Sequence, residues 1–280
     1  MQECFGGIED LPTLVKASQF LQAEGLRYAL EANRRRQPRH SGSIPWQFNE
    51  PYPNLFCTSA VDYHARPKPA YYAVARAYAP VSVTARFDTM AWEGRDECQA
   101  ALWVATSLDL TGPTTLTARL VGAGGREHAM AEYQVGSVPS TSAKVGDLAA
   151  PLHDVEEVFF LDLTLADGET VLARNRYPFV RGASLAPFLE GHAADVLARV
   201  ERLGDEWRVE LSNTGEAAAL GCFLDDDLDL AGQGYAYFSD DYLSLLPGEV
   251  AVIRVHWDNA PAGERKLLLS ALNLEASTVE

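Results

Sequence analysis

The chain has 280 residues, of which 47% are hydrophobic and 22% charged, as expected of a folded globular protein with room for two or three domains. Its formal net charge of −16 argues against nucleic acid and anionic membrane surfaces as partners. No apolar run reaches the length of a membrane span, and the first ten residues lack a signal-peptide core. Four scattered cysteines without metal-type spacing predict reduced, mostly buried thiols, a cytoplasmic location, no metal and no cofactor.

The first 80 residues differ from the rest in charge and periodicity. They hold nine Lys or Arg against seven Asp or Glu, whereas the remainder holds 14 against 32. Apolar residues at helical spacing predict a long helix that ends before Pro38. A short strand is predicted in SGSIPWQFN (41–49), and a second helix begins near Pro69. We therefore place a boundary near Pro80.

After this boundary the sequence alternates between apolar and polar residues. VFFLDLTLADGETVLARNRYPF (158–179) alternates, turns at Asp167-Gly168 and returns, which predicts a β-hairpin. Further short strands are predicted in ALWVATSLDL, TLTARLVG, DEWRVELSN, EVAVIRVHW and KLLLSALNL. Short strands with regular turns are typical of β-sandwiches. We predict two immunoglobulin-like sandwiches, 81–182 and 183–280, joined near 180–191.

Five segments, in the right order, resemble the C-terminal part of a β-mannosidase-like member of glycoside hydrolase family two. LQAEGLRYALEANRRRQP (21–38) is similar to the last long helix of that family's TIM barrel, and IPWQFNEPYPN (44–54) to its eighth strand. SAVDYHARPKPAYYAVARAYAPV (59–81) is similar to the helix that follows, FLDLTLADGETVLARNRYPF (160–179) to the penultimate domain, and YFSDDYLSLLPGE (237–249) to the last. The resemblance implies that residues 1–79 are the C-terminal end of a TIM-barrel domain, built as helix, eighth strand and helix. The expected fold class is mainly β, with this barrel remnant followed by two sandwiches.

The resemblance implies a retaining exo-glycosidase for terminal β-mannosides, and it locates a candidate sugar site. Trp46 would give a flat wall for a sugar ring, and Gln47, Asn49 and Glu50 would supply polar contacts near the C-terminal end of a barrel strand. A packed aromatic at a domain junction is the alternative interpretation of Trp46. The exact sugar stays open, because the discriminating contacts are expected mostly upstream.

The sequence departs from the family pattern at the site and at the catalytic residues. Pro45 removes a ladder donor before the tryptophan, and Glu50-Pro51-Tyr52-Pro53 replaces an Asp followed by Trp-Pro. Retaining enzymes need two carboxylates about 5–5.5 Å apart. No nucleophile or acid/base run precedes the long helix, and Glu3 in QECFGG only superficially resembles one. We therefore expect both catalytic glutamates to lie upstream of residue 1, and the chain alone to be inactive.

Other features lead to weaker hypotheses. The acidic run Asp225–Asp229 lacks the glycine and glutamate of a calcium loop, so a solvated acidic turn is favoured over a calcium site. An incomplete barrel end would expose apolar helix faces, which predicts a homodimer through residues 1–79 in preference to docking of the helices on the first sandwich.

The alternative function is a non-catalytic β-sandwich accessory or carbohydrate-binding module. The strands show no cluster of aromatic residues for a glycan-binding face, apart from Tyr235, Tyr237, Phe238 and Tyr242. The resemblance implies that these four belong to a domain-packing element. A scaffold role for the sandwiches is therefore favoured.

Overall fold

The computed structural model describes residues 2–53, 58–190, 194–228 and 234–279. Among these residues strands far outnumber helices, and the strands form four antiparallel sheets, which confirms the predicted mainly-β class. The helices are α1 (Gln2–Phe5), α2 (Leu11–Arg34), α3 (Pro69–Ala77) and α4 (Pro187–Glu190). The strands are β1 (Val81–Arg86), β2 (Glu97–Thr106), β3 (Thr114–Gly122), β4 (Glu127–Val135), β5 (Ser142–Pro151), β6 (Val158–Asp167), β7 (Thr170–Val180), β8 (Val196–Leu203), β9 (Glu206–Asn213), β10 (Ala219–Asp226), β11 (Tyr235–Phe238), β12 (Leu243–Leu245), β13 (Val250–Asp258), β14 (Leu267–Ala271) and β15 (Leu274–Val279).

The chain divides into two compact units, each of which contains one sandwich and part of the N-terminal segment. The first unit comprises Met1–Ile8, Glu24–Ile44 and Val74–Pro187, and the second comprises Glu9–Ala23, Pro45–Ala73 and Phe188–Glu280. The division into a barrel end (1–79) and two sandwiches stays a prediction, because it concerns the family origin of the domains. The compact units reflect packing, and packing divides residues 1–79 between both units.

The first unit contains a sandwich with sheets β1-β2-β5 and β4-β3-β6-β7. Alternating strand residues fill its core, including the fully buried Leu102, Leu116, Phe159, Leu161 and Phe179. The predicted hairpin is present as β6 and β7. Gly168 in its turn has φ +56, a conformation that glycine adopts without a Cβ clash, so the Asp-Gly signal identified the turn correctly.

The second unit contains a sandwich with sheets β12-β10-β14-β15 and β11-β13-β9-β8. Its core includes Trp207, Val209, Leu224, Ile253 and Trp257. The tryptophan rings of β9 and β13 meet edge to face at 5.1 Å, which fixes the centre of this core.

The long helix forms where helical spacing predicted it. Asp10 caps its start, because the Thr13 amide donates to Asp10 Oδ1 at 2.8 Å. Within the second unit, Phe20 packs edge to face on Phe188 at 5.2 Å. In the same unit Lys16 Nζ donates to the carbonyl of Ala271 at 3.0 Å. This half of the helix is therefore tied to the sandwich of its own unit.

The second half of α2 packs on the sandwich of the first unit. Glu31 and Arg35 are buried there, and Arg34 donates two 2.7 Å hydrogen bonds to the carbonyls of Ala77 and Ala79. Arg34 and Arg35 thus have partners within the first unit, while Arg36 is exposed.

The predicted strand around Trp46 is the main difference from the sequence-based expectation. Residues 41–53 form no ladder, and the only pairing within them is an isolated bridge between Asn49 and Val61. Pro45 has no amide to donate, and no second strand of the described chain lies alongside this segment. The expected strand is therefore an extended loop in this chain.

Candidate functional site

The segment around Trp46 presents large aromatic side chains to solvent. We call residues 45–53 the aromatic loop. Trp46 is 81% exposed, Phe48 66% and Tyr52 61%. Large exposed apolar side chains grouped in one segment indicate a binding surface, whereas single exposed ones are ordinary.

Backbone hydrogen bonds fix the middle of the aromatic loop. The Val61 amide donates to the Phe48 carbonyl at 2.9 Å, and the Glu50 amide donates to the Val61 carbonyl at 3.2 Å. The Thr58 hydroxyl donates to the Trp46 carbonyl at 3.0 Å. The loop is therefore held from the side of residues 58–61, although it forms no ladder.

Glu50 lies beneath this loop and is not exposed. It is only 5% exposed, and its Oε1 accepts hydrogen bonds from Ser59 Oγ at 2.6 Å and Lys68 Nζ at 2.5 Å. Burial alone would raise the pKa of Glu50, but the bonds from Lys68 and Ser59 and the lysine charge outweigh burial and lower it. Glu50 is thus a buried anionic anchor, in contrast to the sugar-contacting role expected for it.

The other predicted site residues lie nearer the surface. Asn49 is exposed, and Gln47 is half-buried with its backbone carbonyl accepting from the Ala60 amide at 3.1 Å. The structure therefore places Trp46 and Asn49 on the accessible part of the loop and Glu50 under it. This arrangement suits recognition of a neutral polar ligand, with an aromatic ring and amide groups and no accessible charge on the loop.

Arg66 is a second anchor, which no sequence pattern predicted. Its guanidinium donates to Asp226 Oδ1 at 2.7 Å and to the Leu228 carbonyl at 2.8 Å. Arg66 closes a turn with Asp62, whose Oδ1 accepts from the Arg66 amide at 2.9 Å. Because Val61 bridges both Asn49 and Pro67, this ion pair supports the segment on which the aromatic loop rests.

The same ion pair changes the interpretation of the acidic run Asp225–Asp229. Asp226 ends strand β10 and is 4% exposed, so it is not part of a solvated turn. Burial raises the pKa of Asp225 to about 6, although the charge of Arg66 opposes this increase. Asp229 lies outside the described residues. Within the described ranges, no group of three or more His, Cys, Asp or Glu side chains could hold a metal ion.

Glu50 and Glu3 do not have the properties of a glycosidase acid/base. Asn49-Glu50 does place an asparagine before a glutamate, but a catalytic acid needs a raised pKa and Glu50 has a lowered one. Glu3 is exposed on the four-residue helix α1. Neither Glu50 nor Glu3 therefore fits the acid/base role.

Three cysteines lie among the described residues. Cys98 and Cys222 are buried free thiols, and burial raises the pKa of each to about 12. Cys4 is also free and partly buried. Among the described residues no helix is long and apolar enough to cross a membrane.

Two sandwiches follow a helix, a tryptophan-bearing loop and a second helix, which is the order of elements that the resemblance to the C-terminal part of a β-mannosidase-like glycoside hydrolase implies. No family model matches the chain. The chain is 27% identical over 259 residues to β-mannosidase B of Aspergillus niger, which covers 88% of this chain and 29% of that protein. It is 34% identical over 120 residues to β-mannosidase B of Aspergillus flavus, covering 40% of this chain and 14% of that protein.

Solved structures share the fold over nearly the whole chain. An Amycolatopsis orientalis exo-chitosanase in complex with a p-nitrophenyl β-D-glucosamine matches with a TM-score of 0.81 and 20% identity, over 99% of this chain and 36% of that one. An exo-β-D-glucosaminidase bound to castanospermine and australine analogues matches with a TM-score of 0.80 and 19% identity, over the same shares. The chain thus spans about a third of the length of the proteins it matches. These matches confirm the resemblance to the C-terminal part of such enzymes.

Proposed function

We propose that the chain is the C-terminal part of a retaining exo-glycosidase that hydrolyses terminal β-mannosides in the intact enzyme. The observation that carries this proposal is that the Trp46 side chain is 81% exposed, on a loop that the buried ion pair between Glu50 and Lys68 holds in place. A fixed, exposed indole offers a flat apolar surface to the C–H face of a sugar, and little ordering is needed on binding. Gln47 and Asn49 supply amide groups beside it, and Glu50 positions the loop.

The chain alone is proposed to be inactive. Its sequence carries no pair of glutamates in the expected runs, and loss of either carboxylate removes nucleophilic or acid/base help worth orders of magnitude. Release of p-nitrophenol from its β-mannoside, β-glucoside and β-galactoside should not exceed a buffer blank. Turnover above the blank that disappears in Glu3→Gln or Glu50→Gln would contradict this part of the proposal.

The genomic DNA before the codon for Met1 tests the proposed descent. An in-frame Ser-Glu-Phe-Gly or Ser-Glu-Tyr-Gly run is expected there. The longer polypeptide would then be assayed on p-nitrophenyl β-mannoside as wild type, Trp46→Ala and the control Tyr63→Ala, whose ring is 49% exposed on the neighbouring turn. We expect kcat/KM to fall roughly tenfold or more in Trp46→Ala, because a wall of the sugar site is lost, and to stay near wild type in Tyr63→Ala. Equal activity in all three proteins would remove Trp46 from the site.

We also propose a homodimer through residues 1–79. Its apolar contact surface is smaller than the sequence predicted. Leu30 is 4% exposed, so the second half of the long helix is covered within its own unit. Leu11 and Val15 remain 70% and 42% exposed. Light scattering at several concentrations should show a mass that rises with concentration and falls back in Leu11→Ser. A constant monomer mass would contradict the dimer.

A further inference from the structure

One face of the last sandwich carries a pair of tyrosines, of which Tyr237 is exposed and Tyr235 half-buried. On the edge strand β11, Tyr237 is 50% exposed and its ring meets that of Tyr235 at 4.6 Å and 87°. The strand register sets Tyr237 opposite His256 on β13, and the two ring planes lie within 21° at 6.4 Å between centroids. We call Tyr235, Tyr237 and His256 the tyrosine shelf. It faces solvent, although the resemblance implied a packing role for its tyrosines.

Hydrogen bonds hold the rings of the shelf in place. Tyr237 Oη donates to Tyr235 Oη at 2.7 Å, and Tyr235 Oη donates to Asp258 Oδ2 at 2.9 Å. At the other side, His256 Nδ1 lies 2.6 Å from Glu206 Oε1. The hydrogen bonds with Tyr237 and with Asp258 raise the pKa of Tyr235, so its hydroxyl stays a donor at neutral pH. The ring orientations are therefore fixed before any ligand arrives.

The chemistry of the shelf selects a class of ligand. Near-parallel exposed rings match the apolar face of a pyranose, and the edge-on Tyr235 makes a side wall. Asp258 and Glu206 each keep oxygen lone pairs that can accept from sugar hydroxyls. These carboxylates and the net charge of −16 disfavour anionic ligands. Because β11 is the outer strand of its sheet, a polymer can extend past the shelf without meeting a further strand of that sheet.

We propose that the tyrosine shelf binds a pyranose unit of a neutral polysaccharide. This site uses none of the residues of the aromatic loop, so it is independent of the proposed hydrolase. Such a surface would retain the protein on a glycan by a contact that performs no chemistry.

Affinity electrophoresis of the full chain tests the shelf, with galactomannan as the probe in the gel. Wild type should be retarded relative to a gel without polysaccharide. Tyr237→Ala should lose roughly three- to tenfold in affinity, because the stacking ring is removed, and Tyr237→Phe should keep most of it. Tyr63→Ala serves as the matched control, since Tyr63 is exposed to the same degree as Tyr237, and it should migrate like wild type.

Three outcomes would overturn the shelf. Wild type without retardation excludes a glycan site at the tested concentrations, and equal retardation of Tyr237→Ala and wild type places any site elsewhere. Retardation by polylysine that is lost in Tyr237→Ala, without retardation by galactomannan, would assign the shelf to a cationic peptide. Trp46→Ala should keep the retardation, because the aromatic loop takes no part.

Thermal unfolding of Tyr237→Ala should match that of wild type. If Tyr237→Ala is less stable than wild type, His256→Ala gives a second test, and it should show reduced retardation.

Discussion

The second half of helix α2 and the aromatic loop invert the usual distribution of side chains between core and surface. In the helix, Arg27, Glu31 and Arg35 are 8%, 2% and 9% exposed, whereas in the loop Trp46 and Phe48 are 81% and 66% exposed. Charged residues are rarely buried unless they are paired, and grouped exposed aromatics mark a binding surface. The two segments therefore have different roles: the helix stabilises its unit, and the loop leaves aromatic rings accessible to the proposed ligand.

The buried charges of the helix form hydrogen bonds and ion pairs within the first unit. Glu31 accepts from Tyr177 Oη at 2.7 Å and from Asn175 Nδ2 at 2.8 Å, and Arg35 lies 3.9 Å away. Arg27 donates to the Arg176 carbonyl at 2.7 Å and lies over the Tyr177 ring at 4.4 Å. Such a network specifies how the helix docks on its sandwich, and removal of one member leaves the others buried without partners.

Breaking this network should give the largest effect on stability. Glu31→Ala leaves the hydroxyl of Tyr177 and the buried guanidinium of Arg35 without their carboxylate, and should lower the free energy of unfolding by about 3–5 kcal/mol. Urea denaturation followed by circular dichroism measures this loss. Glu9→Ala, at an exposed glutamate, is the matched control and should change stability by less than about 0.5 kcal/mol. A Glu31→Ala protein as stable as the control would show that the network contributes nothing.

The anchor of the aromatic loop should give a smaller effect. Lys68→Met keeps the length of the side chain but leaves the buried Glu50 without its cation, at a cost of about 1–3 kcal/mol. Amide hydrogen exchange in residues 46–50 should also become faster, because the loop loses its support. Lys144→Met is the control, since its ion pair with Asp147 is about half exposed on both sides. Unchanged exchange in Lys68→Met would mean that the backbone bonds to Val61 suffice.

Local signals predicted the elements of this fold, but not the burial of its charged side chains. Helical spacing predicted α2 and α3, and the Asp167-Gly168 signal predicted the β6–β7 turn, because each depends on neighbours in sequence. The burial of Glu50 depends on Ser59 and Lys68, and the burial of Asp226 depends on Arg66, 160 residues away. Only the family resemblance predicted Trp46 as an exposed site residue. Local signals did not predict its ladder-free conformation, because that conformation depends on the absence of a neighbouring strand among the described residues.

Acidification should separate the loop anchor from the rest of the fold. The folded-state pKa of Glu50 is lowered, so the stability that its carboxylate contributes is fully present above the ordinary glutamate value of 4.5 and is lost as the pH falls through the folded value. The difference in unfolding free energy between wild type and Glu50→Gln should therefore be constant from pH 7 to about 5 and shrink below pH 4.5. A difference that stays constant down to pH 3 would show that the Glu50 carboxylate is not stabilised by Lys68 and Ser59.

The smallest effect on stability is expected at Trp46 itself. Trp46→Ala removes a ring that is 81% exposed, so the free energy of unfolding should stay within about 0.5 kcal/mol of wild type. Trp257→Ala is the matched control, because that ring is 2% exposed in the core of the last sandwich and its loss should cost about 3–5 kcal/mol. Urea denaturation of the two variants gives both numbers. A large loss in Trp46→Ala would mean that the indole packs against the protein in solution, which would favour a junction aromatic over a sugar platform. A loss confined to Trp257→Ala leaves Trp46 available for a ligand, as the inverted burial of the two segments requires.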